Sequence, residues 1–192
     1  MKNKKTYWII FYTVLALAID LAGRVFATHF TLPSWCDSIG TFPIAYIAGP
    51  ECGGIAGFAN NIIYGIFVEQ QSVYCIVGAL IGVLAGYFAK KKVFETQFAT
   101  MTFGMCLALV STAIAVAINM LLNDGQCGNV WGNQVMLMCM GSGLPRYLSY
   151  VIGQFCLEFL DKLLCVEIVY LLLRWNRRRK HKTAKKSKAI GV

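Results

Sequence analysis

Asp20 and Arg24 stand one helical turn apart. Gln154, Glu158 and Asp161 recur at i, i+4 and i+7, and Lys162 follows Glu158 by four. Each set falls inside an apolar run. Charge is costly there, so such residues face a cavity or one another. Two kinds of chemistry suit the pattern. One is mutual neutralisation: Asp20 or Asp161 with Lys162, and Glu158 with Arg24 or, at helical spacing, with Lys162. The other is a polar pocket open to the outside that holds a small solute. Both can hold at once. Asn61, within the third apolar run, and Asn119, near the outer end of the fifth, add amides that need partners. Trp35 and Trp131 lie between apolar runs, where an indole anchors at the membrane interface or covers a flat ligand.

Catalytic sets are missing. The sequence has no Walker A pattern, no G-x-S-x-G and no H-E-x-x-H, so neither ATP binding of that kind nor hydrolysis is expected. His29 and His181 are far apart, and the cysteines occur singly without C-x-x-C, so no metal site and no cofactor are expected. Cys36, Cys127 and Cys139 fall in loops; a disulfide among them and free thiols are both open.

The elements that must position these residues are apolar helices. Hydrophobic residues make up 57% of the 192, and the net charge of +9 is gathered in blocks. Lys2, Lys4 and Lys5 precede the first apolar run. Lys90, Lys91 and Lys92 follow the fourth, and Arg174–Val192 holds nine of the eighteen basic residues. Positive charge beside apolar helices marks the cytoplasmic side of a membrane, which replaces nucleic acid as the explanation of the charge. The tail also suits anionic lipid head groups. Six spans are expected: 7–27, 38–49, 52–68, 73–89, 98–122 and 147–173, with both ends and the lysine loop inside. The second is short and contains Pro43, which should kink it. The first run is too long for a signal sequence, and another apolar run follows it. The segment 1–174 forms one transmembrane domain, and 175–192 a basic cytoplasmic tail. Within 123–146, Val135–Met140 is apolar but too short to span, which fits a re-entrant or pocket-capping segment.

Small residues recur four apart at Gly53 and Gly57, at Gly78, Gly82 and Gly86, and at Ala18 and Ala22. Such faces let helices approach closely in lipid.

From Leu32 to Thr41 the chain reads Leu-Pro-Ser-Trp-Cys-Asp-Ser-Ile-Gly-Thr. It continues through Ala45, Gly49-Pro50, Gly54, Gly57, Asn61 and Ile63-x-Gly65. This pattern resembles the substrate-binding S component of an energy-coupling factor (ECF) transporter, and the resemblance covers most of the chain. It implies an all-α, six-transmembrane-helix bundle of the ECF S-component type. It implies capture of a vitamin or related micronutrient, docking on a transmembrane T component, and ATP hydrolysis by two partner subunits rather than by this chain. By the same resemblance Ala18 and Ala22 would contact the T component. Trp35, Asp37, Asn61, Asn119, Gln154 and Glu158 are then the expected substrate-binding residues. A stand-alone secondary transporter, with Asp20 or Glu158 as the coupling acid, and a membrane sensor or interaction subunit are the alternatives.

Overall fold

The computed structural model describes the backbone of residues 2–189 and the side chains of residues 4 and 6–179. The chain is 83% helical, with no strand among the described residues. Among the described residues seven α-helices follow one another: α1 (Lys2–His29), α2 (Thr41–Ala48), α3 (Pro50–Phe67), α4 (Cys75–Lys90), α5 (Gln97–Leu122), α6 (Val130–Gly141) and α7 (Arg146–Ala189). Short 3-10 turns, Gln71–Tyr74 and Val93–Glu95, lead into α4 and α5.

Among the described residues three stretches are long and apolar enough to cross a membrane: Thr6–His29, Gln71–Lys90 and Gln97–Leu122. The outer surface has the matching character. Trp8, Phe11, Phe26, Ile55, Phe67, Phe98 and Leu121 are all exposed, whereas Asp20, Arg24, Glu158, Asp161 and Lys162 are buried. Soluble monomers rarely expose so much contiguous apolar surface. The amide- and glycine-rich α3 and the charge-bearing α7 are less apolar in sequence, but those α7 charges point inward.

Glycine sets the spacing of α3 and α4. A Cβ on Gly57 would strike the Gly78 carbonyl, one on Gly82 would strike that of Gly53, and one on Gly86 would lie 2.5 Å from Pro50. Those matched pairs run in opposite directions, so the two helices are antiparallel and touch backbone to backbone. Gly82→Ala is therefore expected to destabilise the fold by about 1–3 kcal/mol through overpacking. Gly141→Ala meets open space and should change stability by less than about 0.5 kcal/mol. Denaturant titration of both variants in detergent checks this; equal losses would sink the close-packing account.

A core between the two halves of the bundle includes Phe42 and Ala45 of α2, Ile81 and Ala85 of α4, Leu107 of α5, and Cys165, Val166 and Val169 of α7. α1 turns Ala16, Asp20, Arg24 and Ala27 inward. Ala18 and Ala22 lie on its exposed face.

Several expectations need correction. The helix expected over 38–49 is only Thr41–Ala48, eight residues, or about 12 Å of helix. That falls well short of a hydrocarbon core of about 30 Å. Pro43 does not kink it, because it occupies the first turn, where a missing N–H goes unnoticed. The Val135–Met140 run forms part of α6, which packs on α7: a Cβ on Gly132 would meet Leu157 at 2.5 Å, and one on Gly153 would meet the Gly132 carbonyl at 2.5 Å. The tail is not separate from the last helix, since α7 runs unbroken to Ala189; residues 190–192 lie outside the described residues. Arg177 Nη2 fastens it to the loop before α5 by donating to the Phe94 carbonyl at 2.8 Å.

Candidate functional site

The loop between α1 and α2 has little regular structure, so its backbone donors need outside partners. Two buried carboxylates supply them. Asp161 Oδ1, on α7, accepts from Ser34 Oγ at 2.7 Å, Trp35 N at 3.0 Å and Cys36 N at 2.7 Å. Asp20, on α1, accepts from Gly40 N at 2.6 Å through Oδ1. Through Oδ2 it accepts from Thr41 N at 3.0 Å and Thr41 Oγ1 at 2.6 Å. The open first turn of α2 is thus capped by an acid from another helix.

Asp37 lies between these anchors. It accepts a charged hydrogen bond from Arg24 Nη2, takes one from Ser38 Oγ at 2.9 Å, and lies 3.8 Å from Lys162 Nζ. Burial pushes the Asp37 carboxyl up, but Lys162 and Arg24 outweigh it and hold the group well below the usual carboxylate range. It is therefore an anion at neutral pH. Asn60 Nδ2 donates to the Asp37 carbonyl at 2.8 Å. Arg24 also donates to Asn61 Oδ1 at 2.9 Å and lies 4.6 Å from the centre of the Tyr64 ring.

A second polar wall comes from the later helices. The Tyr74 hydroxyl donates to Asn119 Oδ1 and accepts from Asn123 Nδ2 at 3.3 Å. Asn119 Nδ2 donates to Gln154 Oε1 at 3.1 Å, and Gln154 Nε2 donates to Glu158 Oε1 at 3.0 Å. Glu158 Oε2 lies 3.4 Å from Lys162 Nζ, which lies 2.6 Å from Asp161 Oδ2. Through Lys162 the two walls join into one network, continuous from Tyr74 to Asn61.

These walls line a cavity. Trp35, Asp37, Asn61, Asn119, Gln154 and Glu158, the six residues expected to bind substrate, all line it. Val77, Ile81 and Ala115 supply an apolar side. Trp35 also passes close to Gly128, whose φ of +66° places it in the left-handed region. Two hydrogen bonds tie the neighbouring loops together: Asn129 Nδ2 to Leu32 O at 3.1 Å, and Trp131 Nε1 to Thr31 O at 2.6 Å. The pocket wall near Trp35 therefore comes from the loop before α6, with Cys127 and Gly128, and not from the apolar Val135–Met140 run.

The structure selects among the alternative ion pairs expected. Asp20 does not meet Lys162, because backbone and hydroxyl donors at Gly40 and Thr41 occupy both its oxygens. Glu158 pairs with Lys162 rather than Arg24, because Arg24 is drawn to the loop at Asp37. The Asp161–Lys162 pair forms as expected. All eight cysteines are free. Burial pushes the thiols of Cys36 and Cys127 up, which keeps them protonated and poorly nucleophilic.

Sequence reasoning did not place Arg24, Tyr74, Asn123 and Lys162 on the cavity. A hydroxyl-bearing aromatic just before the start of α4 was the available signal for Tyr74. Arg24 and Lys162 were visible as intramembrane charges, but which way each faced depended on a loop path that spacing does not encode.

Glu158→Gln keeps the acceptor for Gln154 but removes the charge beside Lys162, which retains Asp161. Solute binding is expected to weaken about tenfold or more if Glu158 contacts solute, the scale of one charged hydrogen bond. Isothermal titration with the co-purified solute, beside a melting curve, checks this. Unchanged affinity with a lowered melting temperature would make Glu158 purely a structural residue.

Compared with family models, curated proteins and solved structures, the chain matches none.

Proposed function

We propose that the chain is the membrane-embedded substrate-capture subunit of an ECF-type importer for a vitamin or related micronutrient. In this reading the bundle crosses the bilayer six times, with α2 shielded by its neighbours and α7 carrying its charges inward. Both termini are cytoplasmic, beside the lysine and arginine blocks. The T component and two ATPase subunits are the partners, and this chain performs no chemistry of its own.

One observation carries the proposal: buried polar side chains from four helices and one loop converge on a single cavity inside a bundle whose outer surface is apolar. Such a site suits a small polar solute, because a few placed polar groups orient a ligand while apolar walls desolvate it. The occupied oxygens of Asp20 count against its use as the coupling acid of a stand-alone carrier.

The full chain, purified from its own membranes in mild detergent, tests the proposal by native mass spectrometry. The expected spectrum contains the chain with a small organic solute, or with a membrane subunit and two ATPases. A chain with neither, from cells that import normally, would overturn the proposal.

A further inference from the structure

Resting on the capture reading, we infer that the solute is electrically neutral and presents an amide-like edge, an N–H beside a C=O, on a flat ring. The four charged side chains that line the cavity, Arg24, Asp37, Glu158 and Lys162, sum to zero and stand in ion pairs with one another. Arg24 lies against Asp37, and Lys162 lies 3.4 Å from Glu158 and 2.6 Å from Asp161. Arg24, Lys162 and Glu158 are each 5% exposed or less. A solute ion would have to break one of these pairs or remain unpaired itself. Either outcome leaves a buried charge without compensation, which is strongly disfavoured.

Hydrogen-bonding capacity remains on charged and neutral groups alike: among the described residues Arg24 Nε and Nη1 and Glu158 Oε2 are buried without a hydrogen-bond partner, and the amides keep open positions. A primary amide has two N–H donors and an oxygen with two lone pairs. Asn119 directs one N–H to Gln154, and Gln154 directs one to Glu158, so each keeps a second donor. Asn123 Oδ1 accepts no hydrogen bond among the described residues, although its amide nitrogen donates to Tyr74 and Asn119. Donors and an acceptor therefore lie along one stretch of the wall. A lactam-type edge offers the complementary acceptor and donor together. The cavity also presents the Trp35 indole and aliphatic side chains, which suit the faces of a flat ring. A wholly apolar solute would leave these amides unmet, and that lost hydrogen bonding discriminates strongly against such a ligand.

The test uses the full chain in detergent and two probe series of nearly constant shape: uracil with orotate, and nicotinamide with nicotinate and 1-methylnicotinamide. Thermal stabilisation is read for each, and any co-purified solute is identified. We expect a neutral probe to stabilise at a concentration about tenfold or more below its charged analogues, or a neutral solute to co-purify. Asn119→Leu should abolish the effect; if that variant does not fold, Asn123→Leu reads the same edge. Tighter binding of a charged probe, or a charged co-purified solute, overturns the neutral assignment while leaving capture intact. Neutral binding that survives in the folded Leu variant overturns the amide-edge assignment. If no probe stabilises the chain and no solute co-purifies, the amide-edge assignment is overturned, and the capture reading is judged separately by whether the membrane subunit and ATPases co-purify.

Discussion

Replacing Asp161 with Ala is expected to cost about 3–5 kcal/mol of stability, the range for removing one partner of a buried ion pair. Two losses combine. Lys162 is left with partners at 3.4 and 3.8 Å in place of one at 2.6 Å. Ser34, Trp35 and Cys36 also lose their shared acceptor. Because those donors hold the backbone under Trp35, solute binding should fall together with stability. Asp161→Asn keeps one oxygen for the loop and should fall between wild type and Ala. Urea titration in detergent, with near-UV circular dichroism of the tryptophans, reads both effects. An Ala variant as stable as wild type would mean that the loop is held by something other than α7.

The second large effect is on transport rather than stability. Under the importer proposal, replacing both Ala18 and Ala22 with Trp should abolish uptake. Solute affinity should stay within about twofold, as expected for changes remote from the site. Both alanines are exposed, on the face of α1 away from Asp20 and Arg24, so two indoles there need displace nothing in the cavity. Radiolabelled uptake in cells and binding to the purified chain separate the two readouts. Normal uptake by the double variant would remove this face from the docking role. Lost binding would mean that α1 shapes the pocket more directly than its burial pattern indicates.

The polar residues of the site were legible because each breaks an apolar run. Asn61, Asn119, Gln154 and Glu158 stand out against their neighbours, and helical spacing puts the last two on one face. Their partners were less legible. Asp20 is satisfied mainly by backbone N–H groups, and any residue can provide those, so no side-chain type marks Gly40 and Thr41 as its targets. Arg24 meets Asp37 only because the 30–40 loop folds back under Asp161, a contact between positions more than a hundred residues apart. The glycine repeats correctly marked close-packed faces, and their pairing across α3 and α4 follows from antiparallel succession. The length of α2 was misjudged mainly at its start, where Ser38, Ile39 and Gly40 form a turn outside the helix, with Gly40 N held by Asp20, a contact that spacing does not encode.

α7 joins Glu158 in the cavity wall to the basic end of the chain through one uninterrupted rod. Its 44 residues extend about 66 Å at 1.5 Å per residue, roughly twice the thickness of a bilayer core. A rigid rod of that length is a lever. Tilting it by about 5° around Glu158 sweeps residue 189, about 46 Å away, through an arc of about 4 Å. The Arg177 hydrogen bond to Phe94 lies along the same arm and, with the core packing of Val166 and Val169, opposes that swing. Under the importer proposal, a sub-ångström adjustment around a captured solute would therefore reach the far end of the arm amplified in proportion to its length.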